Sequence, residues 1–135
     1  MAVSECDDLA GIKVLVVDDS STIRRDAEIF LGQSGCEAML ATDGFDAMAK
    51  IIDGRPDVIF LDSVMPRLDG YQACMLIKRH PKYRSIPIVL LAAKSGLFDQ
   101  ARCRIVGSDG HLAKPFSKEA LLASVRQHAR QCNQS

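Results

Sequence analysis

Four side chains in this sequence could act together if the fold gathers them: Asp18, Asp19, Asp62 and Lys114. Asp18-Asp19 follows the apolar run Ile12 to Val17, Asp62 closes the run Val58-Ile59-Phe60-Leu61, and Lys114 leaves the short stretch ending at Ala113. Each sits where a strand would end. Three carboxylates a few ångströms apart cannot all stay ionised without compensation. One source of it is a hard divalent cation that takes oxygen ligands, for which Mg²⁺ is the natural candidate. The other is the Lys114 ammonium, reaching across the same edge. Together they would make an electropositive seat for a phosphoryl group beside a carboxylate nucleophile. Singly, none of these residues is diagnostic: an aspartate at a strand end commonly caps a helix, and Lys-Pro is a common turn dipeptide. Acids at the ends of the first and third strands, with a lysine at the end of the fifth, have no purely structural explanation.

The elements that must hold them alternate regularly. Ile12–Val17 predicts a first strand, and Ser20 or Ser21 can cap a helix carrying Ile23, Ala27, Phe30 and Leu31 at helical spacing, stopped by Gly35. Cys36–Ala41 predicts a second strand, and a helix from about Gly44 carries Phe45, Met48, Ile51 and Ile52 on one face. Asp57–Asp62 predicts a buried strand, Asp69 caps a third helix with Ala73, Cys74, Leu76 and Ile77, and Ile88–Ala92 is the fourth strand. A fourth helix is expected over 96–105, a short fifth strand ends near Ala113, and Ser117 caps a fifth helix with Leu121, Leu122, Val125 and Ala129 inward. Strands that are continuously apolar rather than alternating imply a parallel sheet covered on both faces. The predicted fold class is α/β: a flavodoxin-like (βα)5 doubly wound parallel sheet of strand order 2-1-3-4-5, in a single domain over residues 11–130. Residues 1–10 and 131–135 read as a flexible N-terminus and a flexible C-terminal tail. In that order strands one and three are neighbours, so Asp18, Asp19 and Asp62 converge at the switch point where open sheets bind ligands.

Composition narrows the function classes. The chain has 135 residues, 47% of them apolar and 25% charged, with 17 basic and 17 acidic side chains, giving a formal net charge of zero. That balance gives no general attraction to nucleic acid, and no basic cluster with interleaved aromatics is present. Residues 1–9 lack the basic and apolar regions of a signal peptide, and no apolar run reaches membrane-spanning length. Five widely spaced cysteines without a C-x-x-C pair argue for reduced thiols in a cytoplasmic protein rather than a zinc site or a disulfide framework.

Three stretches resemble the response-regulator receiver family, the CheY-like domains: Val16-Val17-Asp18-Asp19-Ser20, then Phe60-Leu61-Asp62-Ser63-Val64-Met65-Pro66-Arg67-Leu68-Asp69-Gly70, then Lys114-Pro115-Phe116. The resemblance spans about Ile12 to Arg130. It implies that Asp62 is the phosphoacceptor, that Asp19 and Asp62 bind Mg²⁺ directly with the backbone carbonyl of Val64, and that Asp18 binds it chiefly through water. It further implies that Lys114 pairs with the acceptor or its phosphate, and that the Lys114–Pro115 bond is cis. A narrower resemblance, to PilG-type regulators of type IV pilus (twitching) motility, rests on Thr22-Ile23-Arg24-Arg25, Asp43-Gly44-Phe45-Asp46-Ala47, Pro66-Arg67-Leu68-Asp69-Gly70-Tyr71-Gln72, Gly96-Leu97-Phe98-Asp99 and Arg104-Ile105-Val106-Gly107-Ser108-Asp109. By these resemblances the protein is a stand-alone response regulator of a chemosensory phosphorelay. The resemblance implies a CheA-type histidine kinase as the protein's phosphodonor. The protein acts through a downstream pilus-motility or signalling protein docking on the face of the fourth helix, fifth strand and fifth helix, without being a turnover enzyme.

Two positions depart from the family. The strand-four position that usually carries Ser or Thr is Ala92, with no donor or acceptor. The strand-five position that usually carries Tyr or Phe is His111, readable as a contact residue or, because histidine titrates near neutrality, as a pH sensor. Both members of the usual switching pair are thus replaced, so a pseudo-receiver acting without phosphorylation-driven switching is the alternative reading. An Asp-nucleophile phosphohydrolase would need a second acid two residues after Asp62, where Val64 stands. A nucleotide-binding protein would need a Gly-rich loop after strand one, where the sequence is Asp-Asp-Ser-Ser. Val64 and Lys94 flank the pocket entrance and are expected to tune access of the hydrolytic water.

Overall fold

The computed structural model describes residues 9–65, 69–93 and 105–134. Its elements run β1 (Lys13–Val17), α1 (Ser21–Gln33), β2 (Glu37–Ala41), α2 (Gly44–Gly54), β3 (Val58–Asp62), α3 (Gly70–Arg79), β4 (Ile88–Ala93), β5 (Gly110–Lys114) and α4 (Lys118–Gln134). The expected helix over 96–105 and the Pro66-Arg67-Leu68 part of the receiver motif lie outside the described residues except at Ile105, so the last helix is numbered α4. All five strands are parallel, in the order β2-β1-β3-β4-β5. The predicted fold class, a flavodoxin-like doubly wound sheet in one domain, is the one observed.

Strand alternation sends the apolar residues to two layers. Leu15, Val17, Ile59, Leu61, Ile88 and Leu90 pack with Ala47 and Ile51 of α2 and with Ala73, Cys74 and Ile77 of α3. Val14, Val16, Val58, Phe60, Val89 and Leu91 pack on the other side with Ala27 and Leu31 of α1 and Leu121, Val125 and Ala129 of α4. Phe60 and its neighbours in β3 are fully buried because β3 is central and covered on both faces.

Caps fix where the helices begin. Ser20, not Ser21, caps α1, its Oγ accepting from the Ile23 N–H at 3.4 Å. Asp43 caps α2, accepting from Asp46 at 2.8 Å, and Asp69 caps α3 in a reciprocal box with Gln72. Ser117 accepts from Ala120 at 3.0 Å ahead of α4. Gly35 at φ +84° turns the chain from α1 into β2.

One local expectation changes. On α2 the inward face is Gly44, Ala47 and Ile51, whereas Phe45 and Ile52 stand 59% and 65% exposed. Each follows an inward residue by one position, about 100° around the helix. At the amino end Leu9 is buried against Ile12 and Cys36. At the carboxyl end α4 is helical to Gln134, and Gln131-Cys132-Asn133-Gln134 contains neither glycine nor proline to stop it.

Candidate functional site

The register of the sheet assembles the acids. Val17 of β1 lies beside Leu61 of β3, so the next residues, Asp18 and Asp62, leave adjacent strands at the same level. Asp62 in turn lies beside Leu91 of β4, and Ala93 beside Lys114 of β5. One carboxylate oxygen from each of Asp18, Asp19 and Asp62 lies within 4.8 Å of the others. Lys114 Nζ donates to Asp62 Oδ1 at 2.9 Å and to Asp18 Oδ2 at 3.1 Å. The four residues singled out from the sequence are therefore in one place.

Their environments differ. Asp18 is fully buried and held at each oxygen: Oδ1 accepts from the Ser20 N–H at 2.9 Å, Oδ2 from Lys114, and its backbone carbonyl from Arg24 Nη1 at 2.7 Å. Its own N–H donates to Ala41 at 3.2 Å. Asp62 is 3% exposed, with Oδ1 shared between Lys114 and a long bond from the Val64 N–H at 3.4 Å. Asp19 is exposed, and its carboxylate has no hydrogen-bond partner among the described residues.

Electrostatics follows from this crowding. Burial pushes the Asp62 carboxyl above its ordinary value; the Lys114 hydrogen bond and charge oppose this, while the charge of Asp18 adds to it. For Lys114, burial pulls downward, but hydrogen bonds and charge from Asp62 and Asp18 outweigh it and leave the ammonium raised. Among the described residues, one ammonium bonds carboxylates in a cluster of three, which leaves the carboxylates themselves short of a positive partner. An all-oxygen donor set with that deficit suits a small hard divalent cation, so the residues fit Mg²⁺.

Of the remaining candidates, Val64 follows β3, and Ala92 and His111 lie within β4 and β5. Val64 is 73% exposed at the rim, two residues past Asp62. Ala92 is buried in β4, beside Ala113 of β5, and presents only a methyl group. His111 is exposed on β5, beside Leu90. The Lys114–Pro115 peptide is cis, as the resemblance implies. Lys94 lies outside the described residues.

Two contributors escaped the sequence reading. Arg24 was visible only as part of a subfamily stretch, although an arginine four residues past a helix cap can reach back to the preceding strand end. Gly70 was visible only as a motif letter. A Cβ there would collide with the Asp62 carbonyl and lie 2.8 Å from the Ser63 Cα, while the Gly70 N–H donates to Ser63 at 3.2 Å. The first turn of α3 therefore rests directly on the backbone of Asp62.

An open parallel sheet with this carboxyl-edge cluster defines a class as well as a fold. Residues 14–126 match the response regulator receiver domain, and the chain belongs to that family. It is 57% identical over 118 residues to Protein PilG of Pseudomonas aeruginosa, a span covering 87% of each chain. Response regulator MprA of Mycobacterium sp. is 36% identical over 85% of this chain but only 49% of its own length, so the chain spans about half of such longer relatives. Among solved structures, chemotaxis protein CheY4 of Vibrio cholerae superposes with a TM-score of 0.83 at 34% identity, covering 88% of this chain and 99% of that one. The receiver domain of sensor histidine kinase PA1611 from Pseudomonas aeruginosa, solved with magnesium coordinated in its active-site cleft, gives 0.81 at 30% identity, covering 90% and 99%. Among the described residues, no helix is long and apolar enough to cross a membrane.

Proposed function

We propose that this receiver domain is a phosphorylation-controlled binding module whose acceptor is Asp62. The observation that carries the reading is the buried Asp62 carboxylate held 2.9 Å from Lys114 within the Asp18–Asp19–Asp62 cluster. A carboxylate oxygen of Asp62 attacks the phosphorus of a phosphoimidazole, the N–P bond breaks, and the imidazole leaves with a proton. Lys114 faces the oxygen that carries the charge and stays cationic through the transfer. Mg²⁺, held by Asp19, Asp62 and the Val64 carbonyl with Asp18 acting through water, would neutralise phosphoryl charge there. The protein is consumed and regenerated as a signal carrier and is not a turnover enzyme.

The similarity to PilG supports placing the module in a cytoplasmic chemosensory relay, with a CheA-type histidine kinase as donor and a type IV pilus regulator as target. The unit doing this is the receiver domain over residues 11–130, with β5, α4 and the helix expected over 96–105 as the docking face. Intact-protein mass spectrometry after incubation with Mg²⁺ and a small phosphodonor tests the reading. One phosphoryl adduct in the wild type that disappears in Asp62→Asn is expected.

Ala92 and His111 favour a second reading, a pseudo-receiver that binds its partner whatever the state of Asp62. Absence of an adduct in the wild type would select it.

A further inference from the structure

We propose that Arg24 is a positioning residue for the metal-binding acid Asp19, an inference that rests on the receiver reading of this site. Arg24 lies on the first turns of α1, half-buried, and turns back across the helix start. Its Nη1 donates to the backbone carbonyl of Asp18 at 2.7 Å, a short charge-assisted bond. That carbonyl belongs to the peptide joining Asp18 to Asp19. A peptide unit is planar and rigid, so fixing its oxygen also fixes the direction in which the Asp19 N–Cα bond leaves it.

Among the described residues, little else holds Asp19. Its carboxylate is exposed and finds no hydrogen-bond partner among the described residues, in contrast to Asp18. The turn is instead set through its backbone neighbours. The Ser20 N–H bonds Asp18 Oδ1 at 2.9 Å, Ser20 Oγ caps α1, and the Arg24 N–H closes the first helical bond onto the Ser20 carbonyl at 3.1 Å. Arg24 thus bonds both ends of the turn, through its side chain at Asp18 and its amide at Ser20, with Asp19 between them. A residue that orients a ligand without touching the metal commonly governs affinity by roughly 10- to 100-fold.

Arg24 also carries a positive charge close to a cation site, and this makes the test sharp because the two effects have opposite signs. If charge alone mattered, removing it would make the cluster more negative and tighten Mg²⁺ binding. If position matters, removing the guanidinium loosens the Asp19 peptide and weakens binding.

The experiment is a titration of the full chain with MgCl₂ alone, followed by backbone amide shifts, for the wild type, Arg24→Met, Arg24→Lys and the exposed neighbour variant Arg25→Met. Melting temperatures without metal report folding separately. The expected result is about tenfold weaker Mg²⁺ binding in Arg24→Met, an intermediate value in Arg24→Lys, and wild-type binding in Arg25→Met. Unchanged or tighter binding in Arg24→Met overturns the proposal while leaving the receiver reading standing. A wild type that does not bind Mg²⁺ overturns both. Arg24→Lys supplies the answer where Arg24→Met fails to fold: wild-type affinity in it overturns the proposal that the Nη1 bond positions Asp19, and reduced affinity supports it.

Discussion

Gly70 and Asp62 are in direct backbone contact: the first residue of α3 lies so close to the Asp62 carbonyl that any Cβ would have to displace it. The atoms in the way are main chain, so no side-chain rotation relieves the clash. Gly70→Ala is therefore expected to destabilise by about 1–3 kcal/mol or more. Gly32→Ala in α1, where a Cβ meets nothing within 4 Å, should instead stabilise by about 0.5–1 kcal/mol. Urea midpoints at constant slope measure both, and equal signs would refute the contact.

The replacement of the usual strand-four hydroxyl by Ala92 predicts a weakly coupled response. Ala92→Ser adds a hydroxyl at a buried position one residue past Leu91, the β4 neighbour of Asp62, and beside Ala113 of β5. A hydrogen bond to a charged phosphoryl oxygen contributes about 1.5–3 kcal/mol to the activated state. Amide shifts in β5 and α4 after phosphorylation should move further in Ala92→Ser than in the wild type. Identical shifts would mean that the signal leaves the site by a route that does not involve this position.

His128 supplies a pH dependence remote from the acceptor. The ring is buried beneath β5 against Gly110, its Nδ1 has no hydrogen-bond partner among the described residues, and burial lowers its affinity for a proton, opposed by the charge of Asp109. The unfolded chain takes up a proton as pH falls through 6.5, while the folded ring does not follow until lower pH. Stability is therefore fully present above that value and lost on acidification below it. Between pH 6.5 and about pH 5, where carboxylates begin to contribute, His128→Phe should abolish this loss. It should also remove an unsatisfied buried nitrogen costing about 1–3 kcal/mol. Urea denaturation across that range decides it.

The sheet order and the meeting of Asp18, Asp19, Asp62 and Lys114 were legible because both depend on strand-end positions that apolar runs mark clearly. Facing was less so. Phe45 and Ile52 look like core residues by type, yet one-residue steps on a helix are enough to turn them outward, and hydrophobicity does not encode rotation. Arg24 was opaque for another reason: its role depends on a side chain folding back onto a carbonyl, which no spacing rule distinguishes from an arginine in solvent. The extension of α4 to Gln134 had only a negative signal, the lack of a breaker. Cys36 followed the expectation for a thiol, buried and pushed up to about 11, which makes it inert.

The strand register has a consequence for how this chain can vary in length. Asp62 meets Asp18 and Lys114 only because β1, β3 and β5 each end at a fixed rung, and a one-residue slip would send the acceptor to the other face of the sheet. Insertions within those strands or between Asp18 and Ser20 are incompatible with the site even where the fold absorbs them. The opposite edge is under no such constraint. At the exposed Arg84-Ser85 corner between α3 and β4, added residues lie at the far end of the sheet from the acids, so the chain can lengthen there while the site stays intact.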